Sequence, residues 1–131
     1  KIRGMVLLRL DFEVSDKMAH YDHPKITVEH VMPQNPSKDS QWSDWCPDED
    51  VHQELVHCLG NLALLSRNKN SAASNYEFNK KKTSYFNPVS GHTAFVLTNQ
   101  VIAEDEWRPE TIRVRQTILV NTLIKAWDLI V

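Results

Sequence analysis

With 131 residues, 41% of them hydrophobic and 24% charged, the chain has room for one buried core and too little length for two. No apolar run approaches the roughly 18 residues of a membrane span, and two cysteines, Cys46 and Cys58, exclude a disulfide framework and favour a reducing, cytoplasmic setting. The net charge of −2 argues against a uniformly basic nucleic-acid binder, but it averages two unlike stretches. Asp39 to Glu54 holds six acidic residues and no Lys or Arg, whereas Arg67 to Lys82 holds five basic residues (Arg67, Lys69, Lys80, Lys81, Lys82) against Glu77 alone. A local positive field, not the total charge, meets a phosphate backbone.

In chain order, residues 1–14 space Ile2, Met5, Val6, Leu8, Leu10 and Phe12 in a mostly helical pattern. The segment has no signal-peptide pattern and the chain has no initiator Met, so a piece of a longer protein is expected. Residues 15–24 are turn-rich and close on Pro24, a connector. Ile26–Met32 has the alternation of a strand. The proline-rich stretch 33–47 is expected as a loop pinned to the core by Trp42 and Trp45. A short helix follows, with Asp48 at its N-cap, acidic residues in its first turn and Gly60 at C′. "NLALLS", 61–66, is a second strand, and a polar loop leads to a helix over 75–86 that Ser74 can cap. Tyr76, Phe78, Tyr85 and Phe86 are its expected anchors. After a break at "NPVSGH" a long helix starts near Pro109, with Ile112, Leu119, Leu123, Trp127 and Ile130 as its core stripe.

The first strand carries the chemistry. Phosphodiester hydrolysis needs a base for water, positive charge on the phosphate and leaving oxygen, and donors that hold the backbone still. Glu29 and His30 are adjacent and would face opposite sides of a regular strand. A strand that twists out before Pro33 can aim both into one cleft, because the proline holds Met32 extended and ends the ladder.

"VEHVMPQ", "GNLALLSRNKN" and "SNYEFNKKKTSYF" together resemble the HNH, or ββα-metal, nuclease motif. They are most similar to the C-terminal nuclease domain of GmrSD-like restriction enzymes, whose pattern runs acid-His-(Ile/Val)-x-Pro-Gln, then His-x-x-Gly-Asn-Leu-x-Leu-Leu, then Asn and a Lys-bearing helix. The HNH domain of RNA-guided nucleases is a more distant relative with the same nine-residue step between two asparagines, here Asn61 and Asn70. Trp107, Ile112 and Arg115 also resemble the GmrSD-type domain. The resemblance implies an α+β fold: a ββα-metal core over 26–86 with a loop-helix insertion and flanking helices, and a helical part over 87–131, in one domain spanning 1–131.

It further implies that Glu29, where the family often has Asp, ligates a metal together with the Asn70 carbonyl, that His30 is the general base, and that Asn61 bonds near the His30 backbone and fixes the ring. Such hard oxygen ligands suit Mg²⁺, with Mn²⁺ able to substitute. Arg67, Lys69, Lys80 and Lys81 are the expected DNA contacts, and His57 and Asn75 are candidates for supporting roles. The implied protein is a cytoplasmic DNA endonuclease or nickase of anti-phage restriction, with an N-terminal nucleotide-sensing domain elsewhere in the full-length chain. The alternatives are a catalytically weak DNA-binding module of the same fold and an RNA nuclease. Oligomeric state has no signal in the sequence.

Two other clusters carry less. Cys46, His52, His57 and Cys58 lack the paired spacing of a zinc site. The histidines of "HQELVH" are five apart, not the four that share a helix face in zincins.

Overall fold

The computed structural model describes residues 2–17, 25–66, 72–86 and 95–129. They form a mixed α+β fold, mostly helical around a two-stranded antiparallel sheet. Helix α1 runs Ile2–Val14 and buries Leu7, Leu10 and Asp11, three positions on one helical face. Strand β1, Thr27–His30, pairs with β2, Leu62–Leu65, in the register Thr27↔Leu65, Val28↔Leu64, Glu29↔Ala63 and His30↔Leu62. It is shorter than the alternation over 26–32 suggests, because Val31 and Met32 leave the ladder to bond elsewhere. Between the strands lie two short helices, α2 (Gln41–Trp45) and α3 (Glu49–Leu55).

Helix α2 falls inside the stretch expected as loop; the Ser40 side chain accepts from Ser43 N and starts it. Trp42 is buried in the core and Trp45 packs partly against it. Asp48 caps α3 through Asp50 N and Val51 N, as its position before an acidic first turn predicts. After β2, a 3-10 turn over Ala73–Asn75 precedes α4 (Phe78–Lys80), which widens into a π-helical segment over Lys81–Phe86. Helices α5 (Val96–Ile102) and α6 (Pro109–Ala126) close the domain.

β2 is apolar at every position and is buried on both faces. Its alternation sends Ala63 and Leu65 into a cluster with Met32, Trp42, Phe78, Tyr85, Trp107 and Ile112. Leu62 and Leu64 enter a second cluster with Leu7, Leu10, Phe95, Leu97 and Leu119. On the side away from β1, the Thr98 hydroxyl accepts from Leu64 N at 3.1 Å and donates to Leu64 O at 2.8 Å, so α5 satisfies the strand edge. Asp11 Oδ1 accepts from Leu97 N at 2.8 Å, tying α1 to the first turn of α5.

α6 is docked at the turn before β2. Arg115 Nη1 donates to Gly60 O and Leu62 O, each at 3.1 Å, and Nη2 donates to Leu97 O at 3.0 Å. Burial pulls this guanidinium down to about 10, so it is charged at neutral pH. The Gln116 side chain accepts from Gly60 N at 2.7 Å. Gly60 is not a helix C′ residue, since α3 ends at Leu55; it is needed because a Cβ there would stand 2.5 Å from Ile112 O and 2.8 Å from Gln116 N. Of the expected α6 stripe, Ile112 and Leu119 are buried and Leu123 packs partly. Trp127 is 43% exposed, one turn past the last packed position, and Ile130 lies outside the described residues. No helix among the described residues is long and apolar enough to cross a membrane.

Gly60→Ala therefore forces α6 away from the turn. It should lower unfolding stability by about 1–3 kcal/mol, read as a drop in the urea midpoint; an unchanged midpoint would show that α6 has room to back away.

Candidate active site

β1 ends at a cleft of about 210 Å³ whose walls include Glu29, His30, Pro33, Gln34, Ser74 and Asn75. Both candidates on the strand reach it although their neighbours in the ladder lie on opposite faces. Glu29 pairs with Ala63 on one face of the sheet, and His30 with Leu62 on the other. His30 is the last strand residue, and the turn that follows brings its ring to the rim. On its other side it also lines a groove of about 890 Å³ with Val28 and the α1 residues Arg3, Met5 and Leu8.

Glu29 is only 3% exposed. Its Oε1 accepts from His30 N at 2.9 Å and its Oε2 accepts from the Ser74 hydroxyl at 2.8 Å. Those bonds orient the carboxylate but do not neutralise it, and no Lys, Arg or His among the described residues stands within ion-pair distance. Ser74 thus serves the site and not the start of α4, where no side chain caps the helix. A serine in a polar loop has no sequence mark that would separate these roles.

His30 is 5% exposed. Its Nε2 lies 3.0 Å from Nδ1 of His57, the rings meeting edge-on with centroids 5.0 Å apart. Its Nδ1 lies 3.5 Å from the Gln34 amide nitrogen. His57 is exposed, just beyond α3. Neighbouring His52 donates from Nε2 to Pro33 O at 2.8 Å, holding the post-strand loop against α3. Neither Gln34 nor His52 stood out in the sequence as a site residue.

The chain leaving β1 is held by Asn61, which is fully buried. Its Oδ1 accepts from Met32 N at 2.8 Å and from Trp107 Nε1 at 3.0 Å, and its Nδ2 donates to Met32 O at 3.0 Å and Val56 O at 2.9 Å. A carboxamide has two donors and two acceptor positions, and all are used. Its backbone carbonyl also accepts from Val31 N at 2.8 Å. The residues just after His30 are therefore pinned from the turn ahead of β2.

Lys81, expected at a phosphate, is fully buried. Its Nζ donates to His30 O at 2.7 Å and Val31 O at 2.9 Å. Helical spacing explains the correction: Phe78, Lys81 and Tyr85 recur at i, i+3 and i+7 and share the inward face. Burial pushes the Lys81 ammonium down to about 8, against the opposing pull of Glu29. Lys80 is exposed, with Nζ 4.0 Å from the Tyr76 ring centroid. Lys82 donates to Glu104 O at 2.7 Å. Asn75 is exposed on the cleft wall. Arg67, Lys69 and Asn70 lie outside the described residues.

The strand-end cleft and its buried carboxamide belong to a chain whose residues 1–122 match the family model "GmrSD restriction endonucleases, C-terminal domain". The chain belongs to this family of restriction endonuclease domains. No curated protein and no solved structure gives a significant match.

Two outcomes follow from the clamp around β1. Asn61→Asp removes both donations and sets a carboxylate against two carbonyls, so stability should fall by about 3 kcal/mol or more in urea unfolding; a loss under about 1 kcal/mol would mean that the cavity relaxes. For Lys81, the folded chain has released its proton above about 8 while the unfolded chain keeps it to the ordinary value of 10.5. Stability must then rise with pH across that window. Measured against Lys81→Met, the wild type should gain up to about 3 kcal/mol between those limits, with the full cost of burial present below them; parallel pH profiles would contradict the buried charge.

Proposed function

We propose that this domain is a metal-dependent DNA endonuclease whose ββα-metal core is β1, β2 and the helical segment Phe78–Phe86, with His30 as the general base. The observation that supports it best is the meeting of the Glu29 carboxylate and the His30 imidazole in one cleft at the end of β1. The family match supplies the restriction-enzyme context.

Among the described residues no group of three His, Cys, Asp or Glu side chains could hold a metal by itself, but Glu29 offers one carboxylate to a hard divalent cation. Glu29 brings a pre-oriented carboxylate with no cationic partner among the described residues, and Ser74, Asn75 and Gln34 make the rest of the wall polar. That donor character suits Mg²⁺ or Mn²⁺, with Glu29 as ligand and Asn70 as the expected second. When bound, the cation supplies positive charge for the phosphate and the departing oxygen.

In the reaction, His30 takes a proton from water. The water oxygen bonds phosphorus as the P–O3′ bond breaks, leaving a 5′-phosphate, and the departing 3′ oxygen acquires a proton from solvent. Asn61 and Lys81 both hold the backbone that leaves the base, from His30 O to Met32, so the ring does not have to be ordered during the reaction. The exposed Lys80 is the proposed contact to the DNA backbone, with Arg67 and Lys69 expected from the sequence to share that role. In the full-length chain this effector would act in the cytoplasm against foreign DNA, under control of an N-terminal nucleotide-sensing domain.

Supercoiled plasmid with Mg²⁺ tests the reading. Wild type should convert it to nicked circles, and His30→Ala should do so roughly 10²–10⁴-fold more slowly. Equal rates would remove His30 as base. Retention of DNA without cutting would favour a binding module, and faster cleavage of an RNA substrate would move the assignment to RNA.

A further inference from the structure

We infer that the groove between α1 and β1 seats unpaired nucleotides beside the scissile phosphate, so that the preferred substrate is DNA with a gap, fray or bubble on one side of the cut. The inference rests on the reading of the strand-end cleft as a nuclease site. His30 stands in the wall of that cleft and also in the wall of this groove. The two concavities are contiguous at that residue, and a strand that meets His30 in the cleft has the groove as its neighbouring surface.

The lining of the groove favours bases over backbone. Ile2 and Met5, 77% and 71% exposed, form an apolar floor with the partly buried Leu8, Ile26 and Val28. A duplex turns its charged backbone outward and covers none of this surface, whereas a splayed base lays an apolar face on it. Methionine adapts to such rings through its polarizable sulfur. Arg3 lines the same groove, is exposed, and forms no ion pair among the described residues, which leaves its guanidinium for a phosphate. Lys25 is exposed next to Ile26, and no carboxylate lines the groove among the described residues. Positive charge along an apolar floor is how proteins hold single strands. The volume of about 890 Å³ lies within the roughly 300–1,000 Å³ of pockets that enclose a drug-sized molecule, room for about one or two nucleotides and none for a duplex.

Cleavage by the full-length chain with Mg²⁺ is mapped on end-labelled duplexes with and without a short unpaired segment at a fixed position. Wild type should cut about 10-fold faster beside the unpaired segment, and on one flank of it only, because the groove lies to one side of His30. Met5→Glu sets a carboxylate on the floor at an exposed position and should abolish this advantage. Arg3→Ala should weaken binding of the same substrate and flatten its salt dependence. Equal cutting of paired and unpaired substrates overturns the inference. So does an equal gain on both flanks, which would report easier melting instead of this groove. If Met5→Glu and Arg3→Ala both keep the wild-type pattern, the groove is off the path of the strand and the inference falls; a lowered unfolding midpoint of Met5→Glu would then mark it as a seat for another part of the protein. His30→Ala separates the two readings. If it cuts like wild type, or if no protein cuts, the base or nuclease assignment fails instead. Fluorescence anisotropy on the same oligonucleotides without metal then judges the groove alone: wild type should bind the unpaired segment about 10-fold tighter than duplex, and a wild type without that preference, or a Met5→Glu that keeps it, overturns the inference.

Discussion

A single buried carboxamide organises this domain. Asn61 uses every hydrogen-bonding position it has, on Met32, Val56 and Trp107. In doing so it joins the exit of β1, the end of the α3 region and the start of the C-terminal helical part. A buried amide left partly unmatched costs free energy, while a fully matched one specifies a single arrangement. The requirement is stringent: Asp lacks the donors and an aliphatic residue lacks both functions. Lys81 presses the same point from the other side by donating to the carbonyls of His30 and Val31. The strand end is therefore over-determined, a rigid support for the side chains that line the cleft.

This rigidity resolves the geometric problem of adjacent residues on a strand. Glu29 and His30 belong to opposite faces, yet both line one cleft because the chain turns directly after His30. The turn is possible because Val31 N and Met32 N, which have left the ladder, bond to the backbone and side chain of Asn61. Electrostatics favour the same end. The buried Glu29 carboxylate lies near the Lys81 ammonium without forming an ion pair, and the lysine's hydrogen bonds go to carbonyls.

Much of the fold was legible before any coordinates. α1, β1, the Asp48-capped α3, β2 and the Pro109 start of α6 all follow from periodicity and capping chemistry, because these are local effects. The short helix α2 was hidden among prolines and polar residues; its stability comes from burying Trp42 against Phe78, rings 5.9 Å apart, and not from propensity. The candidate site was legible in part. Glu29, His30 and Asn61 stood out by order and spacing, whereas Gln34 was marked only as part of the Pro-Gln motif, and Ser74 and His52 read as a helix cap and a helical position with nothing to point to the cleft. Lys81 was misjudged within a run of three lysines, since composition suggests a solvated face and only the packing of Phe78 and Tyr85 shows which lysine turns inward.

By itself, the sequence determined the family, the identity of the strand that bears an acid and a histidine, and the places where helices begin, since each depends on neighbours along the chain. Tertiary structure alone decided which side chains lie beneath that strand and which stand open to the cleft. Glu29 and Ser74 are 45 residues apart, and His30 and Lys81 are 51 apart. Contacts at such separations are set by how the whole core packs, and no local pattern encodes them.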